Sequence, residues 1–200
     1  HYFARRKTHS DDRVAAELDN VRGALDWAGD AGQVAMGLRL AAALWRFWDY
    51  RGAWLEGAER LGGLLAASDS PRATREGGKA LRARGWLLTQ LGEYDEAAAH
   101  FAEALDLHRR QADRDAEAGC LELMGILAYR RGDVHQARAL YEECIAIRRA
   151  LGDRVGEKAT LGNLAVVAHL AGDFAAAHRC IEQDLAISRE LADPHGIAMA

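Results

Sequence analysis

The chain has 200 residues, half of them apolar, and a formal net charge of −4 at pH 7. That balance supplies no field for a polyanion, which argues against a general phosphate-binding or nucleic-acid role. Cys120, Cys144 and Cys180 form no CxxC pair, which argues against a disulfide framework or zinc knuckle and fits a reducing cytoplasm.

Only two prolines and few β-branched residues, with alanine, leucine, arginine and glutamate dominant, point to an all-helical chain. In chain order, residues 1–9 are predicted as a loose or helical lead-in and 12–29 as the second helix of a partial unit. Paired helices follow at 33–50 with 53–66, 72–91 with 94–110, 114–131 with 134–151, and 154–171 with 174–191. Residues 194–200 begin a further first helix. The domain reading is a partial leading unit at 1–30, four hairpins over 31–191, and the start of another repeat at 192–200. The softest point is "AASDSPR", where Ser70 is the expected N-cap and Pro71 the first helical residue. The longest apolar run, "LRLAAALWRFW", carries Arg39 and Arg46 and is too short and too charged to span a bilayer. The chain starts at His1 and stops mid-pattern at "GIAMA", which reads as an excerpt of a longer protein.

Shifted by forty residues, the chain overlays itself without a gap. Gly52, Gly92, Gly132 and Gly172 coincide, as do the small residues Gly57, Ala97, Ala137 and Ala177. Large apolar columns run through Val21, Leu61, Phe101, Tyr141 and Ile181, and through Leu25, Leu65, Leu105, Ile145 and Leu185. Within "YDEAAAHFAEALDL" the apolar spacing is i, i+3, i+4, i+7, so each half-unit is helical. The glycine column ends first helices in the left-handed conformation, and the acid after it opens the second. Arg131-Gly132-Asp133 is therefore punctuation of the repeat, not an adhesion signal. Asp113, Asp153 and Asp193 are expected as N-caps of the following first helices. One such hairpin cannot bury its own apolar face, whereas stacked neighbours can.

These columns resemble the tetratricopeptide repeat in a long-helix form. Its pattern has a small residue in the first helix, here Gly85, Gly125 and Ala165, and an alanine early in the second, here Ala97, Ala137 and Ala177. A bulky residue follows at Phe101, Tyr141 and Ile181; Ala104 and Cys144 fit the next small position, while Asp184 departs from it. The helix-ending proline is replaced by Arg109, Arg149 and Arg189, which a longer second helix explains. The resemblance covers about residues 30–191 and implies a right-handed α-solenoid with a 40-residue period. A narrower likeness lies in "AELDNVRGALDWAGDAGQ…", which is similar to the start of such arrays in large bacterial signal-transduction ATPases, including LuxR-type transcriptional regulators. That resemblance implies an upstream ATPase domain in the same chain, although no Walker A loop occurs here.

No catalytic, metal or cofactor constellation is legible: the eight histidines are scattered, no HExxH occurs, and most of the histidines and acids read as solvent-facing. The cysteines read as small buried thiols. The candidate site is instead the concave wall formed by first helices. Its inward positions are Arg39, Arg46, Asp49 and Tyr50, then Lys79, Arg82, Trp86, Thr89 and Gln90. Next come Glu122, Ile126, Tyr129 and Arg130, and last Val166, His169 and Leu170 with Asn163 beside them. Aromatics with cations suit an extended peptide or amphipathic helix, and Trp86 is the expected anchor. Trp48 and Trp54 fall in core columns, while Trp45 replaces the small residue of later units and must splay the helices or fill a gap. The functional expectation is a non-catalytic, cytoplasmic protein- or peptide-binding scaffold without cofactor, nucleic-acid or membrane contact. The alternatives are a small-molecule-sensing array and a structural or self-association spacer.

Overall fold

The computed structural model describes residues 16–67 and 74–193. Those residues form nine helices and no strand. They are α1 (Leu18–Asp30), α2 (Val34–Arg51), α3 (Trp54–Ala66), α4 (Arg75–Leu91), α5 (Tyr94–Arg110), α6 (Arg114–Arg130), α7 (Val134–Leu151), α8 (Arg154–Leu170) and α9 (Phe174–Glu190). The chain divides into two compact units, His1–Leu107 and His108–Ala200. In each, short turns join helices into hairpins that pack on one another in the manner of an α-solenoid.

Why the helices stop is visible in the backbone. Gly52, Gly92, Gly132 and Gly172 all lie at positive φ, between 68° and 84°, which costs an L side chain about 1–2 kcal/mol. At the other junction Gly152 takes the same conformation, but Ala112 and Ala192 hold it at φ 52° and 50° without that freedom. Aspartates then open helices as expected. Asp113, Asp133, Asp153 and Asp173 accept hydrogen bonds from the backbone N–H of Ala116, Gln136, Gly156 and Ala176. Gly132 and Asp133 of the adhesion-like tripeptide thus serve the turn. Ser70 and Pro71 lie outside the described residues; α4 begins at Arg75, with Thr74 as its cap through Gly77 N. The lead-in at 1–9, the expected start of α1 and residues 194–200 also lie outside them.

In unit 1 the core runs through Leu25, Leu38, Trp48, Leu61, Leu65, Leu81, Leu87, Phe101 and Leu105. Trp48 is core as expected, while Trp54 is half-buried and donates its indole N–H to the Asp49 carbonyl at 3.3 Å. The small column explains itself: a Cβ on Gly85 would stand 2.9 Å from the Phe101 ring. In unit 2 a Cβ on Gly125 would come within 2.5 Å of Tyr141. Tyr141, Cys144, Ile145, Ile147, Leu161 and Ile187 build that core. All three cysteines are buried free thiols, and burial pushes the Cys144 and Cys180 thiols above their ordinary pKa. Leu105→Ala and Ile145→Ala should each cost about 2–5 kcal/mol in urea unfolding, since both side chains fill inter-helix space.

Candidate partner-binding surfaces

In unit 1, α2 and α4 pack side by side. Their outer stripes follow i, i+3, i+7 spacing: Arg39, Ala42, Arg46 and Tyr50 on α2, and Lys79, Arg82, Trp86 and Gln90 on α4. Arg39, Arg46, Tyr50 and Lys79 are exposed, and Arg82 and Gln90 half-buried. Trp86 differs from expectation: it is 5% exposed and therefore no free anchor. It makes a T-shaped contact with Trp45, at 6.3 Å between centroids and 74° between planes. Trp45 is half-buried, and the Arg46 guanidinium lies 5.1 Å over its ring. That cation–π stack contributes about 0.5–1 kcal/mol at such a site. The exposed ring on this stripe is Tyr50, at 46%.

In unit 2 the first helices are α6 and α8. Ile126 is buried at 4% and belongs to the core, not to a binding face. Glu122 is half-buried and already engaged, since Arg148 Nη2 donates to it at 2.6 Å while Nη1 reaches Asp153 at 2.7 Å. Tyr129, Arg130, Val166, His169 and Leu170 are exposed, and Asn163 is half-buried. His169 packs edge-on against Phe174 at 5.3 Å. This surface is mainly apolar.

A buried ionic pattern escaped the sequence reading, which placed the acids in solvent. Glu117 and Glu157 are each 2% exposed. Arg109 and Arg114 grip Glu117 at 2.9 and 2.5 Å; Arg149 and Arg154 grip Glu157, each at 2.5 Å. Arg109 also reaches Glu143 at 2.6 Å, and Arg149 reaches Gln183 at 2.5 Å. The Glu117 hydrogen bond, above all, raises the Arg109 pKa above its ordinary value. The arginines that stand for the missing proline are thus more than a by-product of helix length. The signal was present: an arginine at the end of a second helix, a turn of two or three residues, and a glutamate eight residues after the arginine, repeated at forty.

His100 is buried in unit 1 beside Arg84, whose Nη1 donates to its Nε2. Arg84 Nη2 also meets Glu96 at 2.7 Å, and its Nε donates to the Ala58 carbonyl at 3.2 Å. Burial, and then the Arg84 charge, hold the His100 pKa below its ordinary value. A depressed histidine favours the fold while neutral. Its contribution is complete above about pH 6.5 and is lost as pH falls toward the folded pKa. Wild type should therefore lose unfolding free energy between pH 7 and pH 5 more steeply than His100→Gln, read by urea denaturation at each pH.

Among the described residues no three His, Cys, Asp or Glu side chains converge as a metal site. None of the described helices is long and apolar enough to cross a membrane. An open cleft of about 390 Å³ in unit 1 is lined by Leu25, Asp26, Gly29 and Leu64, with Arg60 across it. Arg60 is held by Asp26 and Glu56 at 2.7 and 3.2 Å.

The sequence profile described as "Tetratricopeptide repeat" matches residues 78–150 and 117–190. No curated protein sequence matches the chain. Among solved structures, the chain is similar to BtubC (BKLC) from P. vanneervenii, at 21% identity and a TM-score of 0.72, over 94% of this chain and 85% of that one. A putative kinesin light chain from Podosopora anserina with nearly identical TPR-like repeats aligns at 16% identity and a TM-score of 0.64, over 93% of this chain and 100% of that one. Aspartyl phosphate phosphatase F from Bacillus subtilis aligns at 12% and 0.75, over 94% of this chain but 51% of its own length. At these identities the likenesses establish the fold.

Proposed function

Because the chain belongs to the tetratricopeptide repeat family, we propose that it is a non-catalytic scaffold that binds a protein or peptide on its first-helix faces. The observation that carries this reading is the exposure of large side chains on first helices of both units, with Tyr50 and Leu170 in one repeat column. Tyr50 on α2, and Tyr129, Val166 and Leu170 on α6 and α8, are each 41–56% exposed. Large apolar side chains clustered at the surface and rimmed by cations suit recognition, with rings as anchors. Within that reading, the binding residues are Arg46, Tyr50, Lys79, Arg82 and Gln90 in unit 1, and Tyr129, Arg130, Asn163, Val166 and His169 in unit 2. Trp86, Ile126 and Glu122 support them from beneath or beside.

The wider setting we propose is the sensor or interaction arm of a cytoplasmic bacterial ATP-dependent signalling or transcriptional regulator. It rests on the likeness of residues 16–65 to the segment where repeat arrays begin in those regulators. A Walker A loop in the upstream reading frame supports that setting, and an upstream frame without an ATPase domain rejects it. The binding role is tested on a peptide array. Wild-type chain should retain peptides that Tyr50→Ala with Arg82→Ala, or Tyr129→Ser with Val166→Ser, release. Retention of all peptides by both double variants would overturn the first-helix assignment.

A further inference from the structure

The two units differ in how their first helices carry charge. In unit 1, α2 and α4 bear seven arginine and lysine residues against two acids, Asp49 and Glu76. In unit 2, α6 and α8 bear four, Arg114, Arg130, Arg154 and Lys158, against Asp115, Glu117, Glu122 and Glu157. Three of the unit 2 cations are committed to carboxylates of that unit: Arg114 and Arg154 to Glu117 and Glu157, and Lys158 to Asp193 at 2.5 Å. In unit 1 the position is reversed. Among the described residues no carboxylate pairs with Arg39, Lys79 or Arg82, although Arg39 and Lys79 are exposed on the stripes that flank the Trp45–Trp86 pair. A chain with net charge −4 therefore concentrates uncommitted positive charge on one helical face. Charge of that kind is worth little to the fold and much to the choice of partner.

We infer that the α2–α4 face of unit 1 takes an acidic peptide segment carrying one bulky apolar side chain. The inference rests on the peptide-binding reading above and adds its chemistry. Geometry sets the register of that segment. Lys79 lies two turns and Arg82 one turn before Trp86, so the cations reach from about 5 to about 10 Å along the helix from the aromatic pair. An extended peptide advances about 3.3 Å per residue. Carboxylates therefore belong about two to three residues from the apolar anchor, which rests against Tyr50 beside the Trp45–Trp86 pair. The arginines can take carboxylates in paired hydrogen bonds, whereas Lys79 acts as a point charge. A nucleic acid is disfavoured because the cations span only two turns of two helices, and the chain carries a net charge of −4.

The test uses the whole chain and fluorescence anisotropy with labelled synthetic peptides. One set is glutamate-rich with a single leucine or phenylalanine two to three residues from the acids, on either side. A second replaces glutamate by glutamine, a third by lysine, and poly(U) is the nucleic-acid probe. The glutamate set should bind best, with affinity falling as salt rises. Lys79→Glu with Arg82→Glu should weaken that binding about tenfold or more. Arg179→Glu, an exposed charge on α9, should leave it unchanged. Equal binding of glutamate and glutamine peptides, both weakened by Tyr50→Ala, would overturn the acidic preference and leave the peptide-binding reading standing. Absence of binding by every peptide set would overturn both for this face. Tighter binding of poly(U) than of any peptide, or glutamate binding untouched by the charge reversals, would overturn the inference.

Discussion

Arg109→Ala combined with Arg114→Ala is expected to destabilise the chain by about 3–5 kcal/mol, because it strands the buried Glu117 carboxylate. The size follows from an asymmetry of exposure. The Glu117 side chain is 3% exposed, whereas Arg109 and Arg114 are 47% and 54% exposed. Removing the arginines leaves a charge that water cannot reach. Removing the glutamate frees two cations that simply rehydrate. Glu117→Met alone should therefore cost much less, and adding it to the double arginine variant should recover most of the loss. Urea denaturation of the four variants reads this cycle. A double arginine variant within about 0.5 kcal/mol of wild type would show that the carboxylate finds other partners. The same grip recurs at Glu157 forty residues on, so the pattern belongs to the repeat and not to one accident of packing.

Phe101→Ala is expected to cost about 3–5 kcal/mol, and Ile181→Ala about 1 kcal/mol or less, although both occupy one repeat column. Phe101 is fully buried and its ring covers Gly85. Ile181 is 40% exposed. A truncation removes only contacts that exist, so position in the repeat sets identity and burial sets energy. Equal losses at the two sites, measured by chemical denaturation, would contradict the packing described here.

The helices were legible in the sequence to within a few residues because each boundary has a local cause. Glycine at positive φ stops a first helix, and aspartate accepts the first free N–H of the next. The core columns were legible for the same reason, through 3.6-residue spacing repeated at forty. The candidate surface was harder to read, because helical phase decides which side a residue faces but not what covers it. Trp86 and Ile126 have the right phase and are buried by their neighbours, Trp86 by Trp45. Glu122 has the right phase but is taken by Arg148, a residue 26 positions away. The glutamates at 117 and 157 looked solvent-facing because charge suggests exposure, and only the paired arginines make their burial tolerable. Long-range pairing of this kind is written in the sequence as two separated columns, which become informative once the helices are superposed.

The most direct test of the binding account is backbone amide exchange of the whole chain, alone and with a peptide recovered from the array. The account predicts slowed exchange or altered signals on the first helices, centred on α2 and α4 around Tyr50 and Arg82, or on α6 and α8 around Tyr129 and Val166. Changes confined to the second helices α3, α5, α7 and α9, with the first helices unaffected, would contradict it.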